Sequence, residues 1–147
     1  MSAVIRPFAI EDYPIVVTLW RETEGLGLTE SDSEEAIGLY LQRNPGMSAV
    51  AVSPSGDLLG AVLCGHDGRR GYLHHLAVAP PHRNRGIASR LVDGCFERLA
   101  TVGIQKCNVF LLRGNETGAA FWEHAGWSHR DDLRVFQKAI APLSPAQ

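Results

Sequence analysis

The chain has 147 residues, of which 45% are hydrophobic and 20% are charged, proportions typical of a globular domain with a real core. The net charge of -2 gives no overall attraction to nucleic acid or to an anionic membrane, so any phosphate binding must be local. No apolar run approaches the roughly 18 residues that span a bilayer. Residues 1–6 lack the pattern of a signal peptide. We therefore expect neither nucleic acid nor a membrane as a partner.

The three cysteines, Cys64, Cys95 and Cys107, are odd in number, widely spaced and set in apolar surroundings. Such cysteines are typical of reduced, buried side chains in a cytoplasmic protein. The sequence has no C-x-x-C pair and no cysteine–histidine spacing of a zinc site, so we expect no metal. An acyl-bearing role for Cys107 is disfavoured, because an apolar strand makes a thiol unreactive.

The first half of the chain is predicted to contain a strand, two helices and a hairpin. Apolar residues recur at helical spacing in two segments and alternate with other residues on both sides of a Pro-Ser-Gly-Asp turn. Ser31 and Glu34 have the spacing of a capping box at the start of the second helix. The predicted elements are a strand at 4–8, helices at 11–23 and 32–42, and hairpin strands at 47–53 and 58–65.

The second half is predicted to alternate strands and helices and to end in a pair of short strands. Gly103 has the position of a helix C-cap, and Asn115 that of a helix N-cap. The predicted elements are strands at 72–79, 105–112, 127–130 and 133–139, and helices at 86–102 and from 115 to about 125. Residues 142–147 are predicted to be a disordered tail, which leaves residues 1–141 as one domain.

The order of these elements predicts the fold class. The hairpins imply antiparallel pairs, and the crossover through the third helix implies one parallel pair, strand 72–79 with strand 105–112. The sequence thus predicts an α/β protein with a mixed, mostly antiparallel sheet of six to seven strands. About four helices are expected to cover both faces of the sheet.

A short basic loop follows the strand at 72–79 and leads directly into a helix. Arg83, Asn84 and Arg85 precede Gly86, and the helix begins there. The first amides of a helix have no internal partners, and the helix dipole adds about half a positive charge at that end. Gly86 lets the backbone approach a ligand closely. The loop is therefore predicted to bind an anion, although it is neither a P-loop nor a dinucleotide motif.

Two blocks of sequence carry a resemblance to a known family. The first is R-x-x-G-x-A, from Arg83 to Ala88, and the second runs from Asn115 to Trp127. Together they resemble the GNAT superfamily of acyl-CoA N-acyltransferases, and in particular its small single-domain bacterial acetyltransferases. The resemblance implies the GNAT fold, acetyl-CoA as co-substrate, and no metal. It also implies direct transfer of the acetyl group to a primary amine in a ternary complex.

The resemblance further implies which residues contact coenzyme A. Backbone donors of Leu76, Ala77 and Val78 would serve the acyl carbonyl and the pantetheine arm, which Asn115 also approaches. The loop and the first helical turn would hold the pyrophosphate through Arg83, Asn84, Arg85, Gly86, Ile87 and Ala88. As an alternative, the strand side chains are simply core residues and the loop is a solvated basic turn.

Trp122 departs from the family pattern, because it stands where a tyrosine is usual. An indole can donate a hydrogen bond but cannot act as an acid. We therefore expect water or a nearby group to protonate the departing thiolate, or the thiolate to leave unprotonated. Trp122 is expected to pack either against the coenzyme or in the core.

The strand at 72–79 also carries the candidate general base. Strict alternation places Tyr72, His74 and Leu76 on one face and Leu73, His75 and Ala77 on the other. His74 matches a position at which members of the family carry a base, and histidine titrates close to neutral pH. Tyr72, Glu24 and Glu30 are the alternatives for this role. His75 is expected to pack under a helix.

The acceptor site of the family is built around the first two helices, and this segment is acidic here. Its carboxylates would attract a cationic amine, although acids at helix N-termini need no such role. A small amine, an amino-acid derivative, a peptide N-terminus and a protein lysine all stay open, as does a homodimer. The rival hypotheses are a non-catalytic acyl-CoA sensor, another acyl group, and a hydroxyl acceptor. The acidic residues of the segment are Glu22, Glu24, Glu30, Asp32, Glu34 and Glu35.

Overall fold

A five-stranded mixed sheet organises residues 2–141, which are the residues that the computed structural model describes. The strands lie side by side in chain order; β4 and β5 are parallel and the other pairs are antiparallel. The α/β class and the single parallel pair are therefore as predicted. The strands are β1 (Val4–Pro7), β2 (Ala49–Val52), β3 (Leu58–His66), β4 (Gly71–Val78) and β5 (Cys107–Val109).

Helices cover both faces of this sheet, as predicted. Val16 and Trp20 of the first helix pack on one face, and Leu91 and Cys95 of the third helix pack on the other. None of the helices within residues 2–141 is long and apolar enough to cross a membrane. The helices are α1 (Tyr13–Glu22), α2 (Glu34–Arg43), α3 (Ile87–Thr101) and α4 (Glu116–His124), with 3-10 turns at Ile10–Asp12, Glu30–Asp32 and Pro80–His82.

Two of the 3-10 turns are built in the same way. Asp12 accepts a hydrogen bond from the amide of Ala9 at 2.9 Å, and Asp32 accepts one from the amide of Thr29, also at 2.9 Å. Each aspartate is nearly buried and also receives a side-chain bond from another element, Asp12 from Arg6 and Asp32 from a histidine of β4. Asp12 and Asp32 thus fix the chain just before α1 and α2.

The predicted capping box at Ser31 and Glu34 is wrong. Ser33 caps α2, and its hydroxyl accepts from the amide of Ala36 at 3.1 Å. Because residues 30–32 form a 3-10 turn before the helix, the cap lies two positions later than the sequence pattern suggested.

The two predicted strands after α4 are also wrong for the described chain, so the sheet has five strands and not six to seven. Residues 127–130 and 133–139 form no strand, and Leu133, Val135 and Phe136 are 60%, 72% and 85% exposed. A strand needs a neighbouring edge, and β5 is only three residues long. The predicted tail at 142–147 lies outside the described residues.

A β-bulge interrupts β4 at His75. Ala61 of β3 pairs with Ala77, but Leu63, two residues further, pairs with His74, so β4 carries one extra residue. His75 takes φ 53°, a left-handed conformation that is uncommon outside glycine.

The strict alternation predicted for residues 72–77 is wrong beyond His74, because the bulge shifts the phase of the strand. Leu76 packs in the same core as Leu73, whereas Ala77 packs in the opposite core with Trp20. The ring of His75 contacts Trp20. His74 and His75 are therefore both on the α1–α2 side of the sheet, although they are consecutive.

Candidate active site

A groove opens where β4 and β5 separate. Their pairing ends at Leu73 and Val109, whereas β4 continues to Val78. The side chains of Ala77 and Val78 are 3% and 9% exposed and belong to the core. Within residues 2–141 no strand pairs with Leu76, Ala77 and Val78 on the β5 side, so this is the part of the β4 edge that is left for a ligand.

The basic loop lies at the end of this groove and is attached to β4. Arg83 Nε donates to the carbonyl of Val78 at 2.9 Å. Asn84 and Gly86 have φ values of 63° and 79°, and α3 begins at Ile87 without a side-chain cap. Among residues 2–141 no side chain caps the first amides of α3, and their binding of an anion stays a prediction.

The remaining side chains of the loop differ in exposure. Asn84, Arg85 and Gly86 are exposed, Ile87 is 5% exposed and anchors the helix, and Ala88 is half-buried. A Cβ at Gly86 would meet no atom within 4 Å, so the space above this residue is empty. His82 Nδ1, just before the loop, is buried without a partner among residues 2–141, and the sequence carried no signal for it.

Asn115 lies at the start of α4, next to the loop that follows α1. Its Oδ1 accepts from the amide of Gly118 at 2.9 Å and thereby caps α4. A Cβ on Gly25 would lie 2.6 Å from Asn115 Nδ2, so the loop after α1 crosses the start of α4 at close range. The cap predicted at Asn115 is confirmed.

We expect Gly25→Ala to lower the free energy of unfolding by about 1–3 kcal/mol. Gly25 has φ +77°, and the new Cβ would displace the Asn115 side chain from its capping position. Gly27→Ala is the matched control, because its Cβ would meet only Leu112 Cδ1 at 3.6 Å without a positive φ. Urea denaturation of both variants measures the difference; equal stability of the two would contradict the close contact.

Trp122 lies in the core. It is 9% exposed, and its ring centroid is 4.7 Å from that of Trp127 and 5.0 Å from that of Phe121. Most of the surface of Trp122 is therefore packed in the core, which is one of the two alternatives expected from the sequence. The coenzyme contact that the family resemblance implies for Trp122 stays a prediction.

His74 lies among aromatic rings beside the groove. Its ring stacks parallel to Tyr72, at a centroid distance of 6.3 Å, and contacts Tyr40 and Phe110 at 6.3 and 6.2 Å. Burial lowers the pKa of His74 below its usual value, and the neighbouring His75 lowers it further. His74 is thus kept neutral, as a proton acceptor must be. The structure brings Tyr72 to His74 and leaves Glu24 exposed after α1.

His75 is held by an aspartate from the acidic segment around the first two helices. His75 Nε2 and Asp32 Oδ1 are 2.8 Å apart, and the ring lies 5.0 Å from that of Trp20. Burial raises the pKa of Asp32, but the hydrogen bonds from His75 and the Thr29 amide outweigh it, and the net pKa is lowered. The expected packing of His75 under a helix is confirmed, but the partnership with Asp32 was not foreseen.

No cluster of three or more metal-ligating side chains occurs within residues 2–141. The three cysteines are free, and burial raises the pKa of Cys107 to about 12. A thiol in this state is protonated at neutral pH and is a poor nucleophile. Backbone amides, a basic loop and two histidines are therefore the groups that the groove offers to a ligand.

Comparison with known proteins agrees with this arrangement. A model of the acetyltransferase (GNAT) family matches residues 13–127. An acetyltransferase of Sodalis glossinidius (strain morsitans) is 29% identical over 136 residues, which are 92% of this chain and 94% of that protein.

Solved structures share the fold. The PaiA N-acetyltransferase of Thermoplasma acidophilum in complex with coenzyme A aligns with a TM-score of 0.77 and 21% identity, over 89% of this chain and 92% of that one. The diaminobutyrate acetyltransferase of Paenibacillus lautus, in complex with L-2,4-diaminobutyric acid and coenzyme A, aligns with a TM-score of 0.69 and 21% identity, over 84% and 74%. With the family model covering most of its length, this chain belongs to the acetyltransferase (GNAT) family.

Proposed function

We propose that this protein transfers the acetyl group of acetyl-CoA to a primary amine by direct attack within a ternary complex. The observation that carries the proposal is the groove between β4 and β5, which runs from the open amides of α3 to the histidines of β4. The protonated state of the Cys107 thiol argues against a covalent acyl-enzyme on that residue.

In this proposal the coenzyme lies along the groove. The pyrophosphate binds the amides between Arg83 and Ala88, with the charge of Arg83 and Arg85 added to the helix dipole. The pantetheine arm runs along the backbone of residues 76–78, beyond the last β4–β5 pair, and approaches Asn115. Backbone N–H groups near the bulge stabilise the oxyanion that develops on the thioester carbonyl. A thiolate can leave unprotonated, because thiols have a pKa near 8.5.

The amine enters from the α1–α2 side, where the acidic segment attracts a cation, and His74 accepts a proton as the amine attacks. A neutral imidazole beside the groove supports this role. The diaminobutyrate acetyltransferase that shares this fold is bound to an amino acid with primary amines. We include a small amino-acid-like amine, a peptide N-terminus and a protein lysine in the acceptor class. We assign the activity to the cytoplasm, because the described chain carries three free cysteines.

The test is release of free coenzyme A from acetyl-CoA, followed with a thiol reagent. The amines offered are L-2,4-diaminobutyrate, lysine and a tripeptide with a free N-terminus. We expect thiol release above the amine-free rate with at least one of them, together with an acetylated product in the mass spectrum. Binding of acetyl-CoA without turnover of any amine would favour the sensor hypothesis instead. Propionyl-CoA and succinyl-CoA, offered in parallel, test the acyl preference.

A further inference from the structure

The bond between Asp32 and His75 sets the proton of this imidazole on one nitrogen. Asp32 is ionised at neutral pH, because its net pKa is lowered, so it can only accept. Its Oδ1 lies 2.8 Å from His75 Nε2, and its Oδ2 already accepts from the amide of Thr29 at 2.9 Å. In its neutral form the imidazole therefore carries its proton on Nε2 and keeps a lone pair on Nδ1.

The other nitrogen of His75 is free to act. Within residues 2–141, Nδ1 makes no hydrogen bond, and it is not among the buried polar atoms that lack a partner. Since the side chain is 20% exposed, Nδ1 is reached by solvent. A histidine that is bonded to an aspartate through one nitrogen, and has an accessible lone pair on the other, has a fixed tautomer. This is the arrangement of a proton acceptor.

Two further features indicate that the surroundings of His75 have a role beyond packing. His75 holds a left-handed backbone conformation, φ 53°, and such strained residues concentrate at active sites. Besides His82 Nδ1, two buried side-chain polar atoms have no partner in the described chain, and both belong to rings that contact the two histidines. They are Trp20 Nε1, beside His75, and Tyr40 Oη, beside His74. Unsatisfied polar atoms are rare in interiors and call for a functional explanation.

The proposed reaction has a use for a second proton acceptor. At neutral pH a primary amine is an ammonium ion, which must lose one proton before its nitrogen has a lone pair with which to attack. The nitrogen loses a second proton as the C–N bond forms and the C–S bond breaks. One of the two protons can neutralise the departing thiolate, and the other goes to solvent. His74 accounts for only one of them.

We propose that His75, positioned by Asp32, removes the proton that converts the acceptor ammonium to the free amine. This inference rests on the proposed function. His75 is a catalytic residue in this scheme, and Asp32 is a positioning residue that acts through it. The neighbouring groups that titrate are Asp32, His74 and Tyr13, whose hydroxyl donates to the Asp32 carbonyl at 2.6 Å.

Asp32→Asn is the decisive variant, because an amide has one oxygen and one NH2 group. If the oxygen keeps the bond to the Thr29 amide, the NH2 group must face His75 Nε2 and donate to it. The imidazole proton then moves to Nδ1, and the lone pair that faces the amine is lost. Asp12→Asn is the matched control, because Asp12 closes the same kind of 3-10 turn, is 9% exposed against 8% for Asp32, and also accepts a 2.8 Å bond.

Two measurements test the proposal. Nitrogen-15 NMR of the histidines is expected to place the His75 proton on Nε2 in the native chain and on Nδ1 in Asp32→Asn. Steady-state kinetics with the best amine of the panel is expected to give an about 100-fold lower kcat/KM for Asp32→Asn. The dissociation constant of acetyl-CoA is expected to stay within about twofold of the native value, and Asp12→Asn to keep native kinetics.

A pH series separates proton removal from a structural defect. The deficit of Asp32→Asn is expected to shrink as the pH rises toward about 10, because solution then supplies the neutral amine. His75→Asn is expected to show the same loss of kcat/KM, and asparagine tolerates the left-handed backbone at this position. The double variant Asp32→Asn/His75→Asn is expected to be no worse than either single variant.

The outcomes are distinct. A native His75 with its proton on Nδ1 overturns the proposal without any assay of activity. Native turnover that falls equally in Asp32→Asn and Asp12→Asn, or a deficit that does not change with pH, also overturns it and leaves the proposed function intact. No turnover by the native chain overturns the proposed function and this inference together.

Discussion

Gly86→Glu is expected to weaken acetyl-CoA binding by at least about 100-fold, or roughly 3 kcal/mol. The space above Gly86 is empty in the structure, so the new carboxylate can lie over the open amides of α3. A negative charge there is favourable for the helix and occupies the place proposed for the pyrophosphate. Isothermal titration calorimetry with acetyl-CoA measures the loss.

Gly56→Glu is the matched control for this variant. Gly56 lies in the β2–β3 turn and has φ +92°, and a Cβ there would also meet no atom within 4 Å, so the backbone strain is similar. We expect native affinity for this control. Native affinity for Gly86→Glu as well would mean that the loop is only a basic turn, and the coenzyme site would have to lie elsewhere.

His74→Ala is expected to lower kcat by about 100-fold below pH 7, with acetyl-CoA affinity unchanged. Burial lowers the pKa of His74, so the native imidazole stays neutral and able to accept a proton at a pH where a free histidine is already charged. As the pH rises, hydroxide becomes available to accept the proton released during attack, and the difference in kcat is expected to narrow. Rates measured from about pH 6 to about pH 9 give the profile.

His66→Ala is the control for loss of a histidine, since His66 lies at the end of β3 and its Nδ1 accepts from the amide of Gly68 within the same turn. We expect this control to keep the native profile. A profile that is unchanged by His74→Ala would remove His74 as the base and return attention to Tyr72, which is stacked on it.

The parts of the fold that were predictable are those that short-range patterns determine. Helical spacing of Val16, Leu19 and Trp20 defined α1, and the glycine and proline turns defined the strands from β2 to β4. The basic loop and the cap at Asn115 were also evident in the sequence, because each is formed by a few adjacent residues. Periodicity and capping are local properties, although the cap of α2 lies at Ser33 and not at the predicted Ser31.

The features that were missed depend on contacts between distant segments. Asp32 and His75 are 43 positions apart, and nothing in either neighbourhood indicates the other. The bulge at His75 could not be predicted, because the inserted residue leaves the alternation of apolar residues looking regular in the sequence. The prediction of the last two strands was wrong for a related reason. Alternating apolar residues indicate that a segment can pair with a strand, but not that a sheet edge is available to it.

The short β4–β5 pairing has a consequence for how the protein acquires its groove. These strands are parallel, three residue pairs hold them, and the whole of α3 lies between them in the chain. Closing such a long loop for so few contacts is slow, so the antiparallel strands are expected to assemble first and β5 to join late. The proposed coenzyme site then exists only at the end of folding. Acetyl-CoA is therefore expected to slow unfolding of the finished protein and to leave the folding rate almost unchanged.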